Sequence, residues 1–233
     1  MSNIYNILSF DTSNSTISVG VSRGAKILAY NEELKPSMQA EKLIPMIEST
    51  LNEAKLNYKD MDYLGVVNGP GSFTGIRVGL SCAKAICFAQ EQIKCITVSN
   101  FDMSHFRAKE QIKTYEKIYV ILDAYRSQLY IQSFDRSGSK SNPLLIDYDQ
   151  TIEILNNNPK HHIIACAGNG LEYIQDLKIP NLIILPRFRR IKAVHICKYV
   201  HQHLLRSSNI KFDNIAINPL YIRPSDAKPP NLK

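Results

Sequence analysis

Residues 4–10 (IYNILSF), 16–22 (TISVGVS) and 25–34 (AKILAYNEEL) are short runs rich in apolar, β-branched and aromatic positions, with apolar–polar alternation clearest over 16–22. The turn-rich DTSNS and then Arg23-Gly24 separate these runs, so the pattern predicts three strands of a β-meander. The period then changes. Ala40, Leu43, Ile44, Ile47, Leu51 and Ala54 recur at helical spacing, with Ser37 as the expected N-cap and Pro45 expected to bend the helix. Residues 61–67 (MDYLGVV) read as a buried strand, NGPGSFTG as a glycine loop, 74–91 as a second helix and 94–98 (KCITV) as a short strand.

The order then repeats. Strands are expected at 118–123, 128–134 and 143–147, a short helix at 150–156, and a strand at 162–167 that ends in Gly168-Asn169-Gly170. A helix at 170–177, a strand at 182–185 and a last helix over 189–206 follow. Each copy places an aspartate, Asp11 or Asp123, at the end of its first strand. Identity between the copies is slight, and the repeat is visible as an order of elements. The fold class expected is α/β: two lobes, each β-β-β-α-β-α-β, with a cleft between them. That order is characteristic of the actin, Hsp70 and sugar-kinase group (the ASKHA, ribonuclease-H-like fold). The expected division is an N-terminal lobe at 1–105, a C-terminal lobe at 106–215 and an extended tail at 216–233. RPSDAKPPNLK, with three prolines in eleven residues, is expected to be mobile.

Composition narrows the class. The 233 residues are 44% hydrophobic and 21% charged, enough for a substantial core without disulfides or metal. The net charge of +7 excludes an acidic, disordered character and permits a nucleic-acid partner without requiring one. The five cysteines, Cys82, Cys87, Cys95, Cys166 and Cys197, form no CxxC pair, which argues against a zinc ribbon or a redox dithiol. No basic, cleavable leader is read at the N-terminus, and no apolar run approaches the ~20 residues of a membrane span. The expected location is therefore the cytoplasm, with no membrane contact.

Three places offer chemistry. In Asp11-Thr12-Ser13-Asn14-Ser15-Thr16, Asp11, Thr12 and Ser13 are candidates for contact with a phosphate or nucleotide, and Asp11 could hold a metal-bound water. The competing reading is a plain hairpin whose hydroxyls satisfy its own turn. The loop Gly69-Pro70-Gly71-Ser72-Phe73-Thr74-Gly75 joins a strand to a helix, where an anion can sit on the helix N-terminus. It fails both the P-loop and the dinucleotide patterns, so Gly69 and Gly71 are read as structural. Gly75, Gly79 and Ala83 fall at i, i+4 and i+8 and form a small-residue groove on a helix that is apolar nearly all round. Two readings of its second face stand: cover by a partner, or cover by the chain's own first helix. The third place is the basic cluster Arg187, Arg189, Arg190 and Lys192, either a solvated helix end or an RNA-phosphate contact. The six histidines make no HxxxH or HExxH pair, so no metal site is expected.

ILSFDTSNSTISVGV at 7–21 and VVNGPGSFTGIRVGLSCAKAI at 66–86 strongly resemble the TsaB (YeaZ) family. Weaker similarity continues through EKLIPMIE at 41–48, LDAYRSQLY at 122–130, AGNG at 167–170 and PLYIR at 219–223. The resemblance implies a cytosolic, non-catalytic subunit in bacterial tRNA threonylcarbamoyladenosine synthesis. Its implied partners are TsaD, a catalytic subunit of the same fold that modifies N6 of adenine 37, and the ATPase TsaE. Contact with tRNA is expected only through that complex, and the chain itself is expected to need no cofactor. The catalytic partner's metal site uses two histidines four apart. Asn100 and Ser104 stand at those places here, with His105 one residue out of register. The family pairs through its first two helices and can also pair with itself there. The implied interface residues are Met38, Met46, Gly75, Arg77, Val78, Gly79, Cys82, Ala83 and Ile86. Two rival classes are an actin-like ATPase or phosphotransferase and, on weaker grounds, a metallopeptidase-like protein.

Overall fold

The computed structural model describes residues 4–14, 16–34, 38–185, 190–206 and 217–223. β1 (Asn6–Asn14), β2 (Thr16–Arg23) and β3 (Lys26–Leu34) form an antiparallel meander, followed by α1 (Gln39–Glu53). β4 (Tyr63–Val67), α2 (Phe73–Ala89) and β5 (Lys94–Val98) complete a five-stranded sheet of order β3-β2-β1-β4-β5. After α3 (Asn100–Lys109) come β6 (Lys117–Asp123), β7 (Gln128–Asp135), β8 (Leu144–Asp147) and α4 (Tyr148–Asn156). β9 (Ile164–Ala167), β10 (Leu182–Ile184) and α5 (Ala193–Arg206) end the described elements. The second sheet runs β10-β9-β6-β7-β8, which is the order of the first read from the other edge. In each sheet the first strand pairs antiparallel with the second and parallel with the fourth. The duplication expected from the order of elements is therefore present in topology and strand direction.

The first sheet is covered on both faces, so β1 and β2 are buried at nearly every position, their small polar residues Ser9, Ser18 and Ser22 included. Leu8, Phe10, Ile17, Val19 and Val21 point into a core closed by α1 and α2. Ile7, Tyr63, Val67 and Val98 point the other way, onto Ile196, Cys197 and Val200 of α5. Gly65 lets α5 lie close to β4, since a Cβ there would stand 2.8 Å from Ile196 and 2.9 Å from Val200. The second sheet is covered by Phe101 and Ala108 of α3 on one face, and by α4 with Leu171 and Ile174 on the other.

Several expectations change. The α3 helix was not expected: its apolar pattern is weak, and what starts it is the Ser99 side chain, which accepts from Asp102 N–H at 2.9 Å. The expected helix at 170–177 is a single 3-10 turn, Leu171–Tyr173. The residue ahead of α1 is Met38, in a left-handed conformation with no side-chain cap, while Ser37 lies outside the described residues. The described part of the last helix begins at Ala193. A boundary at 105 falls inside α3, and the lobes exchange helices: α3 follows the first sheet but packs on the second, and α5 follows the second but packs on the first.

The extended tail expected from 216 is anchored over its described residues, 217–223, of which only Arg223 belongs to the stretch expected to be mobile. Ile217 is buried in the core of the first lobe, Leu220 N–H donates to the Asn68 carbonyl at 2.8 Å, and Leu220 and Ile222 pack on the second lobe. Arg223 donates to the Ala124 carbonyl at 2.7 Å. Residues 224–233 of that tail lie outside the described residues.

Candidate functional site: a closed cleft between two lobes

The ends of β1 and β6 meet across the cleft with matching local geometry. Asp11 Oδ1 accepts from Ser13 N–H at 2.8 Å, and Asp123 Oδ1 accepts from Tyr125 N–H at 2.8 Å. After the corresponding strands β4 and β9 stand Gly69 and Gly168, at φ +118° and +121°. A Cβ at Gly168 would lie 2.1 Å from the Ile121 carbonyl, so a glycine is required there.

The three phosphate candidates are placed differently from one another. Asp11 is fully buried; burial pushes its carboxyl pKa up, and the hydrogen bonds from Ser13 and Asn14 only partly oppose this. It does not line the cleft cavity. Thr12 is turned onto α2, where its hydroxyl donates to the Gly75 carbonyl at 2.6 Å. Ser13 does line the cavity, together with Asn14, Pro70, Gly71, Ser72, Asn100, Ser104, Asp123 and Asn169. The described side chains of the turn bond partly to one another and partly to α2 and Asn100.

The cavity measures about 20 Å³, the space of roughly one water molecule. Asn100 and Ser104, one turn apart on α3, are both buried at its wall. Asn100 Nδ2 donates to Ser13 Oγ at 3.0 Å and to the Pro70 carbonyl, tying the first turn, the glycine loop and α3 together. His105 turns away and stacks on Phe134 with ring centroids 4.1 Å apart. Burial, and then the charge of Lys109, lower its pKa to about 4. Among the described residues there is no group of three or more His, Cys, Asp or Glu able to hold a metal.

The small-residue groove faces inward. Gly75, Gly79 and Ala83 are buried, and a Cβ at Gly75 would stand 1.9 Å from the Thr12 carbonyl and one at Gly79 2.6 Å from Thr12 Oγ1. The glycines admit the chain's own β1, which corrects the reading of a groove open to another helix. Ile86 is buried on the same side, and Val78, Cys82 and Met46 are half-buried against the same core. Gly71 serves the same close approach, since its Cβ would be 2.3 Å from the Ser13 carbonyl.

The outward face of α2 is different in kind. It carries Phe73, Arg77 and Phe88, the last 88% exposed, while α1 adds exposed Ile44 with Met38 ahead of it. Ile44 and Phe88 were not among the sequence candidates. Phe88 lies in a helix that is apolar nearly all round in sequence, and only its exposure separates it from its neighbours. In the basic cluster, Lys192 and Arg190 pair with Glu32 of β3 at 3.1 and 3.7 Å, while Arg187 and Arg189 lie outside the described residues. No helix among the described residues is long and apolar enough to cross a membrane.

Comparison with known proteins adds the following. The family model described as "TsaD: tRNA N6-adenosine threonylcarbamoyltransferase" matches residues 37–213. The tRNA threonylcarbamoyladenosine biosynthesis protein TsaB of Haemophilus influenzae is 29% identical, with 93% of each chain covered. The protein of that name from Buchnera aphidicola subsp. Acyrthosiphon pisum is also 29% identical, over 82% of this chain and 87% of its own. Among solved structures, YeaZ from Pseudomonas aeruginosa superposes with a TM-score of 0.72 at 20% identity, covering 94% of this chain and all of that one. The (R)-2-hydroxyglutaryl-CoA dehydratase component A of Acidaminococcus fermentans gives 0.51 at 10% identity, covering 87% and 100%, a likeness of fold alone. The chain is an actin-like α/β protein with a TsaD-type domain and belongs to the TsaB (YeaZ) family of tRNA threonylcarbamoyladenosine biosynthesis.

Proposed function

We propose that this chain is a non-catalytic subunit that docks on TsaD and supports its transfer of threonylcarbamoyl to tRNA. The observation that carries the reading is the cleft. Where the resemblance places the catalytic partner's metal-binding histidines, Asn100 and Ser104 close the space on their own chain. An amide and a hydroxyl are poor substitutes for imidazole at a transition metal, and about 20 Å³ is far below the roughly 300–1,000 Å³ of a small-molecule site.

The docking surface in this reading is the outer face of α1 and α2. Ile44, Met38 and Phe88 expose apolar surface there, with Arg77 at the α2 end. The same face would serve a homodimer when TsaD is absent. TsaE would join the pair, tRNA would be reached through the complex, and the setting would be the cytoplasm.

The test is co-purification with TsaD, together with the threonylcarbamoyladenosine content of tRNA in cells depleted of their own copy of this subunit. The wild-type chain should bind and restore the modified base. Ile44→Glu and Phe88→Glu should leave circular dichroism unchanged, abolish co-purification and fail to restore it. Variants that fold and still restore the base would overturn this face. Turnover of ATP by the isolated chain, lost on Asn100→Ala, would overturn the non-catalytic role.

A further inference from the structure

No CxxC pair exists in the sequence, so spacing argued against a redox dithiol, yet the fold assembles one from two elements. Cys82 and Cys87 of α2 and Cys95 of β5 share the core of the first lobe. Cys197 lies on the other face of that sheet, and Cys166 lies in the second lobe, each with no other cysteine in its cluster. All five are reduced thiols in this structure. Within the first core, the Cys95 thiol donates a hydrogen bond to the Cys87 sulfur, so these two side chains are in direct contact. Cys82 is five residues before Cys87 on the same helix, which places it about 140° round the axis and about 7.5 Å along it. A bond between those two would require α2 to unwind.

The position favours reaction. Cys87 sits in the last turn of α2, and Cys95 is the second residue of β5, an edge strand of its sheet. Helix ends and sheet edges open locally at lower cost than a core centre. Cys87 is 4% and Cys95 8% exposed, and exposed Phe88, Ala89 and Lys94 flank them in sequence, so the pair lies just beneath the surface. The hydrogen bond from Cys95 lowers the Cys87 pKa against the opposing effect of burial, and the same bond raises that of Cys95. Burial pushes Cys82 up to about 12 and Cys197 to about 11, and raises Cys166 as well. Since the thiolate is the nucleophile, Cys87 is the sulfur of the five best placed to attack.

We infer that Cys87 and Cys95 form an oxidative modification site, at which a hydroperoxide converts the pair to a reversible disulfide joining the last turn of α2 to β5. The Cys87 thiolate attacks one peroxide oxygen and the O–O bond breaks. This leaves Cys87 as a sulfenic acid, and the departing oxygen takes a proton to become water or an alcohol. The Cys95 sulfur then attacks the Cys87 sulfur. The S–O bond breaks, and the leaving hydroxide takes the Cys95 proton as water. Two thiols have lost two electrons, which reduce one peroxide. A dithiol reductant reverses the step by exchange. The inference does not rest on docking, although Phe88, next to Cys87, stands on the proposed docking face.

The experiment treats the purified, reduced full chain with hydrogen peroxide under conditions that leave circular dichroism unchanged. Free thiols are then blocked, and peptides are mapped by mass spectrometry without reduction. A peptide pair linked through Cys87 and Cys95 should appear and should vanish after dithiothreitol. Cys95→Ser should halt the reaction at the Cys87 sulfenic acid, which dimedone captures. Cys87→Ser should slow oxidation of the remaining thiols about ten-fold or more, and Cys82→Ser should leave the linked pair unchanged. Wild-type mapping needs no variant, so a variant that misfolds does not remove the test. No linked pair on the folded chain, a link through Cys82 or between two chains, or dimedone capture at another cysteine ahead of Cys87 would overturn the site.

Discussion

Single residues at the β1–α2 contact carry more of the structure than their size suggests. A Cβ on Gly75 would meet a backbone oxygen at 1.9 Å, which only a shift of β1 or α2 relieves, whereas one on Gly79 would meet the Thr12 side chain at 2.6 Å. Gly75→Ala should therefore cost about 3 kcal/mol or more, beyond the ~1 kcal/mol alanine contributes as a helix former, and Gly79→Ala distinctly less. Urea unfolding of both variants checks the order. Removing the opposing group should relieve the second clash, so Gly79→Ala combined with Thr12→Ala should be less destabilised than the sum of the two, by roughly 0.5 kcal/mol or more. Histidines make a separate prediction. His105 and His195 both have pKa values lowered to about 4, mainly by burial. Their folded values lie below the unfolded one near 6.5, so the unfolded chain takes up protons first as pH falls. The stability they contribute is full above about pH 6.5 and is lost progressively toward pH 4. His105→Leu should flatten this fall, seen as a smaller drop in urea midpoint between about pH 7 and 5 than in the wild type.

At the scale of elements, α3 and α2 show how much depends on which way a helix faces. The Ser99 side chain caps α3, and α3 carries Asn100 and Ser104 to the cleft wall. Ser99→Ala should cost about 1 kcal/mol through the lost cap. The same change should loosen Asn100, which hydrogen exchange at the Gly71 and Ser72 amides would register as faster opening. Ser99 with Asp102 three residues on spans the start of this helix, a cap signal too short to announce the helix without a periodic body behind it. Its body was not legible, because a helix wedged between α5 and the second sheet has no single apolar stripe. For α2, spacing showed which residues share a face but left its direction open. Nearly every position is apolar or small, and exposed Phe88 looks like buried Ile86 in a sequence.

The whole molecule is tied together by segments that cross between lobes. α5 closes the first sheet, α3 closes the second, and 217–223 runs from the first core to the second. Full-length protein should therefore unfold in one cooperative transition, with far-UV and near-UV signals coincident. A fragment ending at residue 105 would expose the face of Ile7, Tyr63, Val67 and Val98 that α5 covers, and should be aggregated or unfolded. Removal of 217–233 takes buried Ile217 out of the first core and Leu220 from its bond to Asn68. It should destabilise the chain by about 3 kcal/mol or more, given roughly 1.5–3 kcal/mol for a fully buried aliphatic side chain. A lowered thermal midpoint for that truncation is the measurement.

The sequence by itself determined the strands, their order and the duplication. Short runs rich in apolar and β-branched residues, bounded by turn residues, mark strands, and GPGSFTG admits little besides a tight strand-to-helix turn. The resemblance the sequence carries also implies that Asn100 and Ser104 stand where the catalytic partner has its histidines. Only the tertiary structure decided that the glycine stripe meets Thr12, that the lobes exchange α3 and α5, and that Cys87 of α2 meets Cys95 of β5. Periodicity records which residues of one element share a face. It carries no information about which distant segment that face will meet, because that is set by chain crossings between elements far apart in sequence.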